Sequence, residues 1–338
     1  MEKAYIKHLS EAAGGIRTRD HRLTRPALYR AELRRRVGGT PAYGLFYVRV
    51  FNSIVYLCSF PLYIWPRILC IGVVVLERVK LGIPVVDDVV EGFPRGSLIV
   101  FAGPPGIGKS VFIHHAVISM LKNGWRVLYI VFDDEPSDVI QSLESFEANV
   151  GKYVDEGMLI FIDGFSVPIS GLSESKWVKI SPTNPIDSLN TIHNVVRELE
   201  NHNLGRLLIV VDSLNEVVLR NEAGLVLDFL KGLRGICKKY EAIGLVSLHT
   251  GIPGLEQLYF AVEYLSDGVV EFGFDPSLEQ LGIPLRRLRV VKVKATSHSL
   301  EWIPYTILKD GKITMVDVKK IMSSVRQALS ELQEFIGK

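Results

Sequence analysis

Gly103-Pro104-Pro105-Gly106-Ile107-Gly108-Lys109-Ser110 fills every position of the pattern GxxxxGK[ST]. Each fixed position has a physical reason. The glycines let consecutive backbone N–H groups curl around a polyphosphate. The Lys109 ammonium can reach the β and γ oxygens, and the Ser110 hydroxyl is a ligand for Mg²⁺. Ser110 also opens a helix, whose N-terminal partial charge favours an anion. A glycine-rich turn that merely joins strand to helix is the plain alternative. The motif is complete and correctly placed, between the apolar run 98–102 and the helical pattern 110–122. ATP with Mg²⁺ is therefore the ligand to expect.

Outward from this loop the same texture repeats. Apolar runs at 98–102, 127–132, 159–163, 207–211 and 243–248 alternate with helical patterns at 110–122, 136–149, 185–203 and 222–240. Continuous apolar strands separated by helices predict a mainly parallel sheet covered on both faces. Antiparallel-looking pieces follow at 268–274, 288–294 and 303–308, and Lys309-Asp310-Gly311-Lys312 closes a hairpin. A terminal helix is expected over 318–336.

Two further segments complete the chemistry. Leu207-Leu208-Ile209-Val210-Val211-Asp212-Ser213 is an apolar strand ending in a carboxylate. In proteins with a phosphate loop such an Asp orients the magnesium shell, so Asp212 joins Ser110 as a metal-site candidate. Phe132-Asp133-Asp134-Glu135 ends the strand that follows the phosphate-loop helix. Carboxylates at a strand C-terminus face the ligand side of an open α/β sheet. One of them is read as the base that orients the attacking water, Asp134 first and Asp133 next. The plain alternative is that one caps the helix beginning at Pro136 and the others are solvated.

The bulk numbers fit a packed globular chain, with 338 residues, 48% hydrophobic and 22% charged. Three scattered cysteines, with no CxxC pair, suggest neither a zinc site nor a disulfide framework, and a reducing cytoplasm is the default. The net charge of +2 is unevenly spread. Residues 1–78 hold 13 Lys/Arg and 5 Asp/Glu, while 79–338 hold 26 and 32. The larger part is mildly acidic, which argues against a nucleic-acid surface.

Two domains are expected, an Arg-rich and apolar extension over 1–76 and the α/β domain over 77–338. Three readings stand for the extension. Its apolar run 45–76 is a marginal membrane anchor, because its longest uncharged piece, 50–66, has 17 residues against the roughly 20 that span a bilayer. It is alternatively a layer packed on the main domain. Or it lies outside the mature protein, since residues 14–33 resemble a peptide that recurs when a transfer-RNA gene is translated by mistake. A start near Val73–Val75 from a non-AUG codon would fit that reading.

The residues of the larger part resemble the KaiC/RadA group of RecA-superfamily ATPases, most closely a single KaiC-type domain. The likeness runs over 79–316. It rests on Leu81-Gly82-Ile83-Pro84 with Asp87 to Gly96, on the phosphate loop, on Phe132-Asp133-Asp134, on Asp212-Ser213, and on Lys292-Val293-Lys294-Ala295-Thr296-Ser297-His298. The resemblance implies a RecA-like fold and a hexamer with ATP between subunits. Carried over, Lys292 and Lys294 reach the neighbour's γ-phosphate, as an arginine finger does. Without the resemblance they read first as one solvated strand face. Departures from the family fall in three places. Its paired Glu is Asp133-Asp134 here, one methylene shorter, so hydrolysis is expected to be slow or absent. Its self-phosphorylated Ser-Thr pair is replaced by Glu263-Tyr264, and Ala295 stands for a Gly.

Three functions follow in order: a KaiC-like ATPase acting as an oligomeric switch or motor, a nucleotide sensor signalling to a membrane machine, and a RadA-type recombinase paralogue. The last needs basic loops after Asp212 and after strand 243–248. Those loops, 214–224 and 249–256, hold Arg220 and no Lys, beside Glu216, Glu222 and Glu256.

Overall fold

In a computed structural model the described residues are 77–166, 176–201, 206–280, 282–296, 298–317 and 323, with strand backbone at Ala31–Leu33, Leu45–Val50 and Ser53–Cys58. The chain divides into two compact units, Met1–Val75 and Leu76–Lys338.

In the first unit, Ala31–Leu33, Leu45–Val50 and Ser53–Cys58 form a three-stranded antiparallel sheet. Within the run read as a marginal membrane anchor, residues 45–50 and 53–58 are paired strands, while 51–52 and 59–76 lie outside the described residues. Among the described residues no helix is long and apolar enough to cross a membrane. A chain shortened to begin at Val75 is expected to keep the thermal transition and ATP affinity of the full chain. Insoluble or unfolded material from it would show that the second unit needs residues 1–74 to fold.

The second unit opens with a short antiparallel pair, Arg78–Val79 with Phe93–Pro94, between whose strands lies α1 (Pro84–Val90). Asp87, buried in this helix, accepts backbone N–H bonds from Leu81, Gly82 and Ile83 at 2.7–2.9 Å, which fixes the approach to the sheet. Then follow β1 (Leu98–Gly103), α2 (Lys109–Lys122), β2 (Arg126–Val131), α3 (Pro136–Glu144), α4 (Val150–Asp155), β3 (Leu159–Asp163), β4 (Val178–Lys179) and α5 (Pro185–Asn201). The chain continues through β5 (Leu207–Asp212), α6 (Asn215–Arg220), α7 (Ala223–Lys239), β6 (Ile243–His249), α8 (Glu256–Leu265), β7 (Gly268–Phe274), α9 (Pro276–Glu279), β8 (Arg286–Val293), β9 (Ile303–Ile307) and β10 (Ile313–Met315).

The ten strands form one sheet in the order β10-β9-β8-β7-β1-β6-β5-β2-β3-β4. Seven neighbours from β7 to β4 run parallel, and β8, β9 and β10 extend the sheet antiparallel. Strand period 2 divides the core between the two faces. Ile99 and Phe101 pack with Tyr129, Leu208 and the α2 residues Phe112, Ala116 and Val117 on one face. Leu98, Val100 and Ala102 pack with Ile130, Ile209 and Val211 on the other, under Ile192 and Val196 of α5 and Phe229 and Leu233 of α7. This is the α/β architecture the alternating pattern predicts. The expected terminal helix over 318–336 lies outside the described residues apart from Ser323.

Candidate functional site

The carboxyl ends of the central strands gather the sequence candidates. β1 runs directly into the phosphate loop, and Gly103 is held close to its neighbour strand: a Cβ there would sit 2.7 Å from Phe272 Cβ. Gly106 and Gly108 adopt φ of +72° and +104°, a region that costs glycine least. Gly108 caps α2, and Ser110 is exposed in that helix's first turn.

Lys109 carries the main electrostatic argument. It is only 3% exposed, and its Nζ donates to Gly103 O at 2.9 Å and Pro104 O at 3.0 Å and lies 2.9 Å from His249 Nδ1. Among the described residues no carboxylate lies within ion-pairing distance of it. Burial lowers its pKa to about 8, against the opposing pull of Asp212 and Asp133. A buried ammonium without a paired anion suits a polyphosphate.

Asp212 ends β5 beside β2, where Tyr129 Oη donates to Asp212 Oδ2 at 2.9 Å. The Asp212–Ser213 peptide is cis. Burial pushes the Asp212 carboxyl up to about 6, with Asp133 and Asp134 adding to the rise and hydrogen bonds from Tyr129 and Ser247 opposing it. Hydroxyl and carboxylate oxygens are the ligands Mg²⁺ prefers. Ser110 and Asp212 are thus the pair that would hold it.

The chain leaves β2 into Asp133-Asp134-Glu135, all exposed, with the Phe132 N–H donating to Asp212 O at 2.8 Å. The two aspartates have different neighbours. Asp133 Oδ2 lies 3.9 Å from His249 Nε2, and its charge acts on Lys109. Asp134 has its pKa raised by partial burial, then by Asp133 and Asp138. Glu135 is the N-cap of α3, although its side chain makes no capping hydrogen bond.

His249 is the site residue that sequence reading missed. It is the last residue of β6 and pairs with Gly103 in register. Its ring spans Lys109 and Asp133, and its backbone is clamped by Asn215: the His249 N–H donates to Asn215 Oδ1 at 2.7 Å, and Asn215 Nδ2 donates to His249 O at 3.1 Å. Burial lowers its pKa, Lys109 lowers it further, and Asp133 opposes both. An apolar run ending one residue short of a polar His was the only sequence signal.

Lys292 and Lys294 stand apart from this cluster. Val269 pairs with both Val100 and Lys292, so Lys292 lies level with Val100, roughly 10 Å along the strand from Gly103. Its Nζ donates to Glu263 O at 2.8 Å and Tyr264 O at 3.0 Å, at the C-terminus of α8. Lys294 Nζ lies 3.3 Å from Asp267 Oδ1. Asp267 also binds Arg234, through Nη2 at 2.8 Å and Nε at 2.9 Å. Both lysines therefore meet the junction between α8 and β7, away from their own phosphate loop. Ala295 follows with φ +57°, which accounts for glycine being favoured there. Arg78 braces the turn through Thr296 Oγ1 at 2.9 Å and Ala295 O at 3.1 Å.

Three arginines outside this cluster have carboxylate partners within the chain, Arg220 of the segment after Asp212 among them. Arg220 pairs with Glu216 at 2.7 Å in α6. Arg289 pairs with Glu271 at 2.7 Å and Arg287 with Asp275 at 3.3 Å, and both guanidiniums lie over Trp302.

A strand-to-helix phosphate loop, a carboxylate at the end of a nearby parallel strand, and further carboxylates at the end of the strand beside it define a RecA-like P-loop domain. A family model for the KaiC ATPase matches residues 79–320. The chain belongs to the KaiC ATPase family and carries a single KaiC-type domain. It is similar to UPF0273 proteins of Methanopyrus kandleri, at 26% identity over 77% of this chain and 99% of the relative, and of Pyrococcus furiosus, at 27% over 72% and 95%. Its fold matches a KaiC-like protein of Pyrococcus horikoshii at TM-score 0.56 and 24% identity, over 72% of this chain and all of that one.

Proposed function

We propose that this protein binds ATP with Mg²⁺ at Gly103–Ser110 and hydrolyses it slowly, as a cytoplasmic ring-shaped oligomer that works as a switch or motor. One observation carries the reading: the Lys109 ammonium, buried and without a carboxylate partner among the described residues, lies between the loop carbonyls and the cluster of Asp212, Asp133 and His249.

Lys109 and the loop N–H groups bind the phosphates. Mg²⁺, when bound through Ser110 and Asp212, neutralises phosphate charge. Asp133 orients a water for attack and accepts its proton, and His249 holds a position from which it can meet the terminal phosphate. The preference between the two aspartates thereby passes from Asp134 to Asp133, because Asp133 is the one facing His249 and acting on Lys109. Lys292 and Lys294 serve the neighbouring protomer's nucleotide. Their distance from their own loop supports this, as does the surface beside them, where Phe260 is 72% and Tyr264 80% exposed on α8. A second copy of this chain is the partner that would cover those rings.

Turnover and mass measured together in ATP test the proposal. Asp133→Asn is expected to lower turnover by roughly 10²-fold or more while ATP binding persists, the scale for losing a positioned base. Asp134→Asn is expected to act less. The reverse ranking restores Asp134 as the base. A wild-type chain that binds ATP and never hydrolyses it turns the protein into a nucleotide sensor.

A further inference from the structure

β9 and β10 extend the sheet antiparallel, on the side of β8 remote from the parallel strands. Yet two side chains of β9 touch the phosphate loop. Tyr305 is 1% exposed, and its Oη donates to Ile107 O at 2.8 Å. Two residues on, and on the same strand face, Ile307 lies so close to Gly108 that a Cβ there would come within 2.4 Å of Ile307 Cδ1. Both contacts bear on one peptide unit, the bond between Ile107 and Gly108.

We infer that Tyr305 is a positioning residue for the phosphate loop, aiming the Gly108 N–H through its grip on the Ile107 carbonyl. This rests on the reading of Gly103–Ser110 as the polyphosphate site. The peptide group is planar and trans, so its N–H points opposite to its C=O. Turning the Ile107 carbonyl toward Tyr305 directs the Gly108 N–H away from the strand. Ile107 is fully buried, so its carbonyl needs a partner inside the protein, and a buried tyrosine hydroxyl needs one equally. The bond satisfies both groups and selects one orientation of the peptide.

The ring is fixed independently of the hydroxyl. It stacks edge-on against Phe112 of α2, centroids 5.0 Å apart, and near Phe272 at 6.2 Å. The hairpin is tied to the same helix a second time, where His115 Nε2 lies 3.0 Å from Gly311 O. Packing therefore survives loss of the oxygen, and the orientation of the loop peptide does not.

The test measures the affinity of a fluorescent ATP analogue for the full chain carrying Tyr305→Phe, Ile307→Val or Lys109→Ala, with the thermal transition of each ligand-free variant as a control. Tyr305→Phe keeps the aromatic packing and is expected to weaken binding about 5- to 20-fold. Ile307→Val removes only the Cδ1 methyl beside Gly108 and is expected to weaken it about 2- to 5-fold. A purely structural role would lower both thermal transitions and leave both affinities alone. Affinities within twofold of wild type for Tyr305→Phe, with binding lost in Lys109→Ala, overturn the inference and leave the phosphate loop standing. If Tyr305→Phe does not fold, Ile307→Val decides by the same criterion. Wild-type affinity in Lys109→Ala removes the phosphate-loop reading, and the inference with it.

Discussion

Lys109→Ala is expected to abolish tight binding of a labelled ATP analogue. The ammonium is nearly inaccessible, bonded to two loop carbonyls and set against His249, and it is the cation nearest the expected phosphates. A charge-assisted contact to phosphate is worth about twice a neutral hydrogen bond, and more in a site from which water is excluded. A loss of about 10²-fold or more, roughly 3 kcal/mol, is the expected scale. The wild type adds a signature that no neutral replacement can share. Binding uses the charged form, and burial has brought the ammonium's pKa down to about 8. Affinity should therefore hold below that pH and decline as pH rises through it. Lys109→Ala should show no such decline. Wild-type affinity in the variant, measured by equilibrium titration at pH 7, would remove the assignment of the loop.

How much of this site is legible in the sequence depends on where each signal is carried. The central strands are apolar on both faces because helices cover both, so 98–102 and 243–248 matched β1 and β6 closely. Helix α8 was hidden for the opposite reason. Leu258 and Val262 face inward, but Phe260 and Tyr264 face outward, so the apolar residues show no single stripe. The helix expected over 136–149 ends early, at Glu144, and a separate short helix, α4, starts at Val150 after Asn149 turns left-handed at φ +68°. The edge strand Val178–Lys179 has only two residues, too few to show any period. His249 and Tyr305 were illegible for a further reason. Their importance comes from register and from contacts across 140 and 198 positions of sequence, which no local pattern encodes.

Lys292 near the end of β8 and Lys294 just beyond it show the same division between local pattern and distant contact, and they decide whether the chain acts alone. Their spacing is visible in the sequence; their attachment to Glu263, Tyr264 and Asp267 is not. Service to a neighbour requires each ammonium to exchange these contacts for phosphate oxygens. Asp267 would stay neutralised after losing Lys294, because Arg234 keeps its bidentate pair and Lys238 lies 3.7 Å away. Release of the finger therefore does not strand a buried carboxylate, which keeps its cost low. ATP should then join protomers head to tail into a closed ring, shifting the chain toward the oligomer by mass action, and ADP should do so less. Lys292→Ala combined with Lys294→Ala is expected to keep weakened ATP binding while losing ATP-dependent assembly and most turnover. The scale set by arginine fingers is roughly 10³-fold or more. Mixing this double variant with Lys109→Ala makes the sharper measurement. The double variant supplies intact phosphate loops and Lys109→Ala supplies intact lysines, so mixed interfaces should regain part of the hydrolysis that neither has alone. Light scattering that shows a monomer at every ATP concentration, with the mixture inactive while the wild type turns over, would return Lys292 to capping α8 and Lys294 to its pair with Asp267.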